Sequence, residues 1–253
     1  MKVATHNLFE GAQGTIPLLV QYVREQDLDI LCLQEVNGWQ DGDPTMLEQF
    51  AAMSGLRHYV FGDSNTDYKL ATFSRLPFTE TEVLRDGFWH CAVRVTVDYG
   101  GEPLDVWNVH HDPRSEDGRV PEAAIICGAG KPGRSRVVTG DINSLSRRDK
   151  YSPSLLEVLA AQGITKFGTD ELLYKVTDYY TSHGFKDAAV ELGNLETTVP
   201  TPANKDMFHA APMRLDYFFV TNALVPDVRA ISVPKNKLTD KISDHYGAVL
   251  TLA

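Results

Sequence analysis

The chain has 253 residues, a hydrophobic fraction of 43% and a formal charge of −10. That length accommodates one large α/β domain with a substantial core, and the acidic balance excludes a general basic field for nucleic acid or anionic membrane. The three cysteines, Cys32, Cys91 and Cys127, form no CxxC pair, which excludes a disulfide framework and makes buried free thiols the expectation, Cys32 and Cys91 within apolar runs.

In chain order, Lys2 to Leu8 reads as a short strand, followed by a glycine-bearing loop and a helix over Thr15 to Gln26 with Thr15 as N-cap candidate. Asp29 to Val36 is a buried strand ending in a glutamate, and Thr45 to Ser54 a helix stopped by Gly55. Strand-like runs follow at His58–Phe61, Leu70–Phe73, Thr81–Leu84, Cys91–Val97 and Leu104–His110, with a hairpin turn at Tyr99-Gly100-Gly101-Glu102-Pro103; short turns between them predict antiparallel meanders. A short helix at Pro121–Cys127 leads to the strand Arg136–Asn143. Two helices are predicted at Pro153–Gln162 and Asp170–Ser182, closed by Gly163 and Gly184. The segment 194–211 is loop, and the last strands fall at Arg214–Val220, Asp227–Val233 and Gly247–Leu252. No repeat, linker or low-complexity tract interrupts residues 1–253, which read as a single domain. No apolar span reaches membrane length and Met1 leads directly into a strand, so a soluble, cytoplasmic protein is expected; a leader removed beforehand would leave no trace.

Six of these segments share a form, an apolar strand with polar residues at or near one end: Asn7, Glu35, His110, Asp141 with Asn143, Arg214 with Asp216, and Asp244 with His245. Locally each has a bland alternative. Gly140-Asp141-Ile142-Asn143 fits an Asx-turn as well as a site, and Glu35 fits the first exposed residue after a strand. Ends of neighbouring strands converge along a sheet edge, however, and convergence would bring several carboxylates together. Such a group is tolerable when a cation sits among them, and oxygen ligands without Cys-His spacing favour Mg²⁺ or Mn²⁺ over zinc. The basic segments Lys131, Arg134, Arg136 and Arg147, Arg148, Lys150 flank the central acid in sequence and are read as solvated loops.

The ordered set Thr-His-Asn-Leu, Leu-Gln-Glu-Val, Asn-Val-His, Thr-Gly-Asp-Ile-Asn, Arg-Leu-Asp-Tyr and Ser-Asp-His, from residue 5 to residue 246, resembles the endonuclease/exonuclease/phosphatase superfamily. The resemblance implies a four-layer α/β/β/α sandwich with two central, mostly antiparallel sheets. It also implies roles, position by position. Glu35 would be the principal metal-binding acid, with Asn7 as a phosphate or metal-shell amide and Asp244 as a further acid of that shell. Asp141 would orient or deprotonate the attacking water, and Asn143 would hold that water or a phosphate oxygen. His245 would contact the scissile phosphate with Asp216 fixing its tautomer, and His110 would stand near the phosphate or leaving oxygen. Whether Asp141 or His245 is the base stays open. Arg214 is read as a structural partner of Asp216 or a neighbouring acid, and His6, His111 and Asp112 as support or rim.

Departures from the family bear on the substrate. Phe9 stands where many abasic-site endonucleases carry an acid, Gln34-Glu35-Val36-Asn37 replaces their Gln-Glu-Thr-Lys, and an alignment through Tyr68-Lys69 puts Leu70 where the pancreatic type pairs its mid-chain histidine with a glutamate. The resulting expectation is a Mg²⁺- or Mn²⁺-dependent phosphoesterase that cleaves a phosphodiester in DNA or RNA by in-line attack of water. The alternatives are a phosphatase or phosphodiesterase of a small molecule or lipid headgroup and, on the same fold, an inactive binding module.

Overall fold

In the computed structural model, which describes all 253 residues, the apolar runs become twelve strands divided equally between two sheets. The first sheet runs β11 (Val228–Ser232), β12 (Ala248–Leu252), β1 (Lys2–Asn7), β2 (Ile30–Gln34), β4 (Leu70–Ser74) and β3 (His58–Gly62). The second runs β5 (Glu80–Leu84), β6 (Ala92–Tyr99), β7 (Glu102–His110), β8 (Ser135–Asp141), β10 (Asp216–Thr221) and β9 (Phe185–Asp187). Each sheet has one parallel pair, β1 with β2 and β7 with β8, and every other pairing is antiparallel.

The strands bury side chains on both faces. Val3, Ile30, Cys32 and Leu70 of the first sheet meet Val93, Val95, Val106 and Val137 of the second in a shared inner core. On the outer face of the first sheet, α1 (Ile16–Gln26) and α2 (Met46–Ser54) pack Leu19, Tyr22, Leu47 and Phe50 against Leu31, Leu33 and Phe73. On the outer face of the second, α3 (Glu116–Gly128) and α5 (Lys175–Ser182) pack Ala123, Ile126, Val176 and Tyr180 against Trp107, Val138 and Phe219. The result is the expected α/β/β/α sandwich. A satellite cluster under α4 (Ser154–Ala161) joins Leu155 and Leu159 to Ile164, Phe167, Met213 and Leu215. Short α6 (Ala188–Leu192) follows β9 directly. No helix is long and apolar enough to cross a membrane.

A polar tie locks the sheets together just below the site. Gln34 Nε2 donates to Asn108 Oδ1 at 2.7 Å, and Asn108 Nδ2 donates to the carbonyls of Leu33 and Ala71 at 3.0 and 3.1 Å. Buried amides of this kind, fully partnered, fix the register of one sheet on the other where apolar packing alone would tolerate sliding.

Several boundaries differ from those read in the sequence. Helix α3 begins at Glu116, five residues before Pro121, because the Ser115 hydroxyl accepts from Gly118 N and Glu116 and Asp117 occupy the first turn. Helix α5 begins at Lys175 and not Asp170: the backbone turns at Gly168, where φ is +122°, and Leu173 N closes back on Phe167 O. Thr15 does not cap α1 with its side chain; its hydroxyl donates to the carbonyls of Ala12 and Ile242. Thr45 and Glu48 do form a reciprocal capping box on α2. The meander is broken between β4 and β5, which lie in different sheets, and β9 with α6 was not read from the sequence. Cys32 and Cys91 are buried free thiols, and Cys127 is a half-buried one.

Candidate active site

The two parallel pairs decide where the polar strand ends meet. Parallel neighbours finish at the same edge, so Asn7 pairs in register with Gln34, next to Glu35, and His110 with Asp141. Antiparallel β10 starts at that edge, with Asp216 opposite Asp141. Asp244 and His245 precede β12, whose Ala248 pairs with Thr5. All the predicted residues except Asp216 line one pocket of about 440 Å³ at this edge, and Asp216 sits behind His245.

Backbone geometry at the edge is unusual. Glu35 and Asn143 take positive φ of 60° and 53°, and so do Phe9 and Glu10 at 44° and 58°. Such conformations disfavour residues with a Cβ and persist where surroundings enforce them. Gly140 has φ +140°, and a Cβ there would meet the carbonyl of Val109 in the adjacent strand, so only glycine lets β8 approach β7 and bring Asp141 beside His110.

Asp141 is the hub. Its Oδ1 accepts from Asn143 N at 2.8 Å, and its Oδ2 accepts from Asn7 Nδ2 at 3.1 Å. The same Oδ2 lies 3.6 Å from His110 Nε2 and 3.8 Å from His245 Nε2. Burial works against its charge, but His245, His110 and Lys166 prevail and hold the carboxyl down at about 2. His245 is its counterpart. Burial works against the imidazolium, yet Asp216, 2.8 Å from Nδ1, with Asp244 and Asp141 nearby, raises it to about 10. The proton of the Asp216–His245 pair therefore resides on the imidazole, and His245 is a cation at neutral pH.

His110 behaves oppositely. Burial pushes it down to about 4 despite Asp141, so it is a neutral ring, and its Nδ1 has no partner. No carboxylate sits behind it. His90 stacks on it instead, with ring centroids 4.3 Å apart, and its own Nδ1 lies 2.6 Å from Thr66 Oγ1. Leu70, at the position aligned with the pancreatic glutamate, points into the inner core.

Glu35 opens on the pocket, and its contacts are neutral: Asn7 Nδ2 at 3.1 Å and Glu10 N at 2.9 Å. Burial, reinforced by the charge of Asp244, pushes its carboxyl up to about 7. A carboxylate in that position is short of a counter-charge, and the carboxylate oxygens of Glu35 and Asp244 suit a hard divalent cation. Asn7 presents its Nδ2 to the acids while its Oδ1 takes Phe9 N, so it bridges Glu35 and Asp141 in this arrangement. His209 was not anticipated; its Nδ1 lies 3.2 Å from Asp244 Oδ2. His209, Asp244 and His245 form a compact cluster of ligand-type atoms, although His245 turns its Nδ1 to Asp216 and its Nε2 towards Asp141.

The remaining predictions resolve plainly. Arg214 does not partner Asp216. It is a buried strut whose Nη2 donates to Asp149 and Asp187, both at 2.7 Å. His6 Nε2 lies 3.0 Å from the carbonyl of His245, and His111 is held between Glu122 and Tyr180, both as support. Asp112 is tied to Arg114 at the rim. The two basic segments line no part of the pocket: Lys131 and Arg134 pair with Glu80, and Arg147 with Asp178. Residues that the sequence did not point to as site residues also line the pocket, among them Tyr68, His90, Arg114, Lys166, Phe208 and His209. They come from loops whose only local signal is an aromatic or basic side chain between turn residues.

Comparison with known proteins bears on the family and the fold. The endonuclease/exonuclease/phosphatase family model matches residues 4–245. No curated protein matches by sequence. Among solved structures, an AP endonuclease from Archaeoglobus fulgidus superposes with a TM-score of 0.74 at 17% identity, covering 100% of this chain and 99% of that one. An endonuclease/exonuclease/phosphatase family protein from Leptotrichia buccalis gives 0.71 at 17% identity, with 100% and 99% covered. A mannosyl-6-phosphatase from Bacteroides thetaiotaomicron gives 0.68 at 16%, again with 100% and 99% covered. At these identities the likeness is one of fold, and the match of the family model across nearly the whole chain carries the assignment: the protein belongs to the endonuclease/exonuclease/phosphatase family.

Proposed function

We propose that this protein is a divalent-cation-dependent phosphoester hydrolase in which Asp141 directs water at phosphorus and His245 holds the phosphoryl group. The observation that carries the reading is geometric: Asp141 Oδ2 and His245 Nε2 face each other at 3.8 Å in the pocket, with Asp216 2.8 Å behind the ring at Nδ1. Of the two candidate bases, His245 already bears its proton. Asp141 Oδ2 is the acceptor left, so a water lodged against it is oriented and gives up its proton there. The imidazolium of His245 stabilises negative charge as it grows on the phosphoryl oxygens. His110, neutral, offers a hydrogen bond near the leaving oxygen and does not deliver a proton. Glu35, Asp244 and Asn7 would hold the cation, which supplies further neutralisation of phosphoryl charge when bound.

For the organic part of the substrate, the pocket supports a compact ester. Its rim carries Glu10 and Asp206 beside Phe9, Tyr68 and Phe208, and Arg114 is already committed to Asp112. An acidic rim on a chain of charge −10 does not draw in a long polyanion. The nucleic-acid phosphodiester anticipated from the sequence is the second reading, favoured by exposed Tyr68 and Phe208, on which a base would stack. Similar structures include both an AP endonuclease and a mannosyl-6-phosphatase, so the family fold accommodates either. A panel of sugar phosphates, nucleoside monophosphates, single-stranded and abasic DNA, RNA and phospholipid headgroup esters, each with Mg²⁺, Mn²⁺ or chelator, tests the reading. Cation-dependent turnover of small esters is expected; turnover confined to nucleic acid reverses the order of the two readings, and turnover of none of them in either metal defeats the proposal.

A further inference from the structure

Lys166 lies outside every segment that pointed to the site, yet it lines the same pocket as Glu35, Asp141, Asn143 and His245. It is carried by residues 163–168, between α4 and α5, and its backbone is fixed from beneath. Arg119, wholly buried, donates to the Lys166 carbonyl from Nη1 and Nη2 at 3.3 and 3.2 Å and to the Asp112 carbonyl from Nε at 2.7 Å. Glu116, 3.3 Å away, balances that guanidinium inside the protein. The ammonium of Lys166 passes the rings of Phe167 and Phe208, 5.1 and 5.5 Å from their centroids, and donates to Asn143 Oδ1 at 3.0 Å.

What it lacks is an anion. Lys69 rests on Asp63, Lys131 on Glu80 and Lys175 on Asp117, each within 2.9 Å. Lys166 makes no such pair, and its closest partner is a neutral amide, although the charge of Asp141 reaches it. An ammonium drawn into a pocket and left with a neutral acceptor is under-compensated, and a structure that clamps its backbone there keeps that shortfall in place. The group that enters this pocket supplies the missing charge.

We infer that Lys166 is a further substrate-contacting residue: its ammonium rests on Asn143 in the free protein and takes a non-bridging phosphoryl oxygen when substrate binds. This deepens the phosphoester reading and rests on it. It also bears on the class of ester. Lys166 sets an ammonium against the phosphoryl oxygens, so a monoester dianion gains more from it than a diester monoanion does.

The test uses the full chain and three variants, Lys166→Met, Lys166→Gln and Lys166→Arg. Calorimetry with inorganic phosphate and Mg²⁺ reads binding, and steady-state hydrolysis of p-nitrophenyl phosphate and bis(p-nitrophenyl) phosphate reads turnover. Lys166→Met is expected to weaken phosphate binding about ten-fold and to lower kcat/KM about 100-fold, more on the monoester, while Lys166→Arg recovers most of the binding. Lys166→Gln keeps a donor for Asn143 and removes the charge. If it binds phosphate and turns over like the wild type, Lys166 only positions Asn143 and the inference is overturned; if it falls with the Met variant, the charge itself is the contact. Should Lys166→Met fail to fold, the Gln variant alone decides. A wild type that hydrolyses neither ester would count against the phosphoester reading, whereas the phosphate titration would still decide whether Lys166 binds the anion.

Discussion

Replacing Asp216 with Asn isolates the charge that makes His245 a cation. The variant is nearly isosteric and retains a carbonyl oxygen 2.8 Å from Nδ1, but it removes the negative charge that works hardest against burial. A rise of His245 to about 10 corresponds to a preference for the imidazolium on the order of 5 kcal/mol, at about 1.4 kcal/mol per pH unit. One opposite charge at contact accounts for roughly 1–3 units. His245 in Asp216→Asn is therefore expected to titrate at roughly pH 7–9, because Asp141 and Asp244 remain. The sign for stability follows. A histidine with a raised folded-state value contributes stability fully present below its unfolded value of about 6.5 and lost as pH rises through about 10. Wild type should thus lose more stability than Asp216→Asn between about pH 7 and pH 10. Histidine side-chain NMR provides the assay. Wild-type His245 should stay protonated from about pH 6 to about pH 9, and the variant should titrate within that range. A wild-type His245 that titrates near 6.5, or a variant whose titration is unmoved, refutes the reasoning.

Arg214→Met should cost about 3–5 kcal/mol in urea unfolding, since Asp149 and Asp187 are left buried without their shared cation; a loss below about 1 kcal/mol would mean that the strut is idle. Gly140→Ala should lower stability by about 3 kcal/mol or more and depress turnover with it, because β7 and β8 must part where Asp141 meets His110. An alanine variant with wild-type Tm would show that the strands have more slack than the backbone suggests. Removing divalent cation with chelator should abolish turnover while leaving far-UV circular dichroism unchanged, because the cores are built of apolar side chains and include none of Asn7, Glu35 and Asp244; unfolding on chelation would make the cation a structural one.

The fold was legible where β-branched and apolar residues recur in a buried run closed by turn residues, as at Ile30–Gln34 and Ala92–Tyr99. It was less legible where packing or a cap overrides the local pattern. Residues 170–174 look helical in sequence, but the left-handed turn at Gly168 spends their backbone elsewhere, and the three-residue β9 exists only because β10 offers it an edge. The site divides along the same line. Asn7, Glu35, His110, Asp141, Asp216 and His245 stand at strand ends, where the parallel pairs bring them together as a matter of register. Lys166, His90 and His209 come from loops, and their presence in the pocket depends on Arg119 beneath Lys166, on the stacking of His90 against His110 and on the approach of His209 Nδ1 to Asp244 at 3.2 Å. Arg214 shows the converse: a charged residue within a family-like segment, two positions from a site acid, that serves only the interior.

The central claim is that Glu35, Asp141 and His245 form one cation-assisted phosphoryl centre. It is tested most directly by the initial rate of hydrolysis of one small phosphate ester with Mn²⁺ or Mg²⁺, for wild type and for Glu35→Gln, Asp141→Asn and His245→Gln, each verified as folded. Every substitution is expected to lower kcat by about 100-fold or more. Cation-dependent hydrolysis that persists at the wild-type rate in any of the three would contradict it.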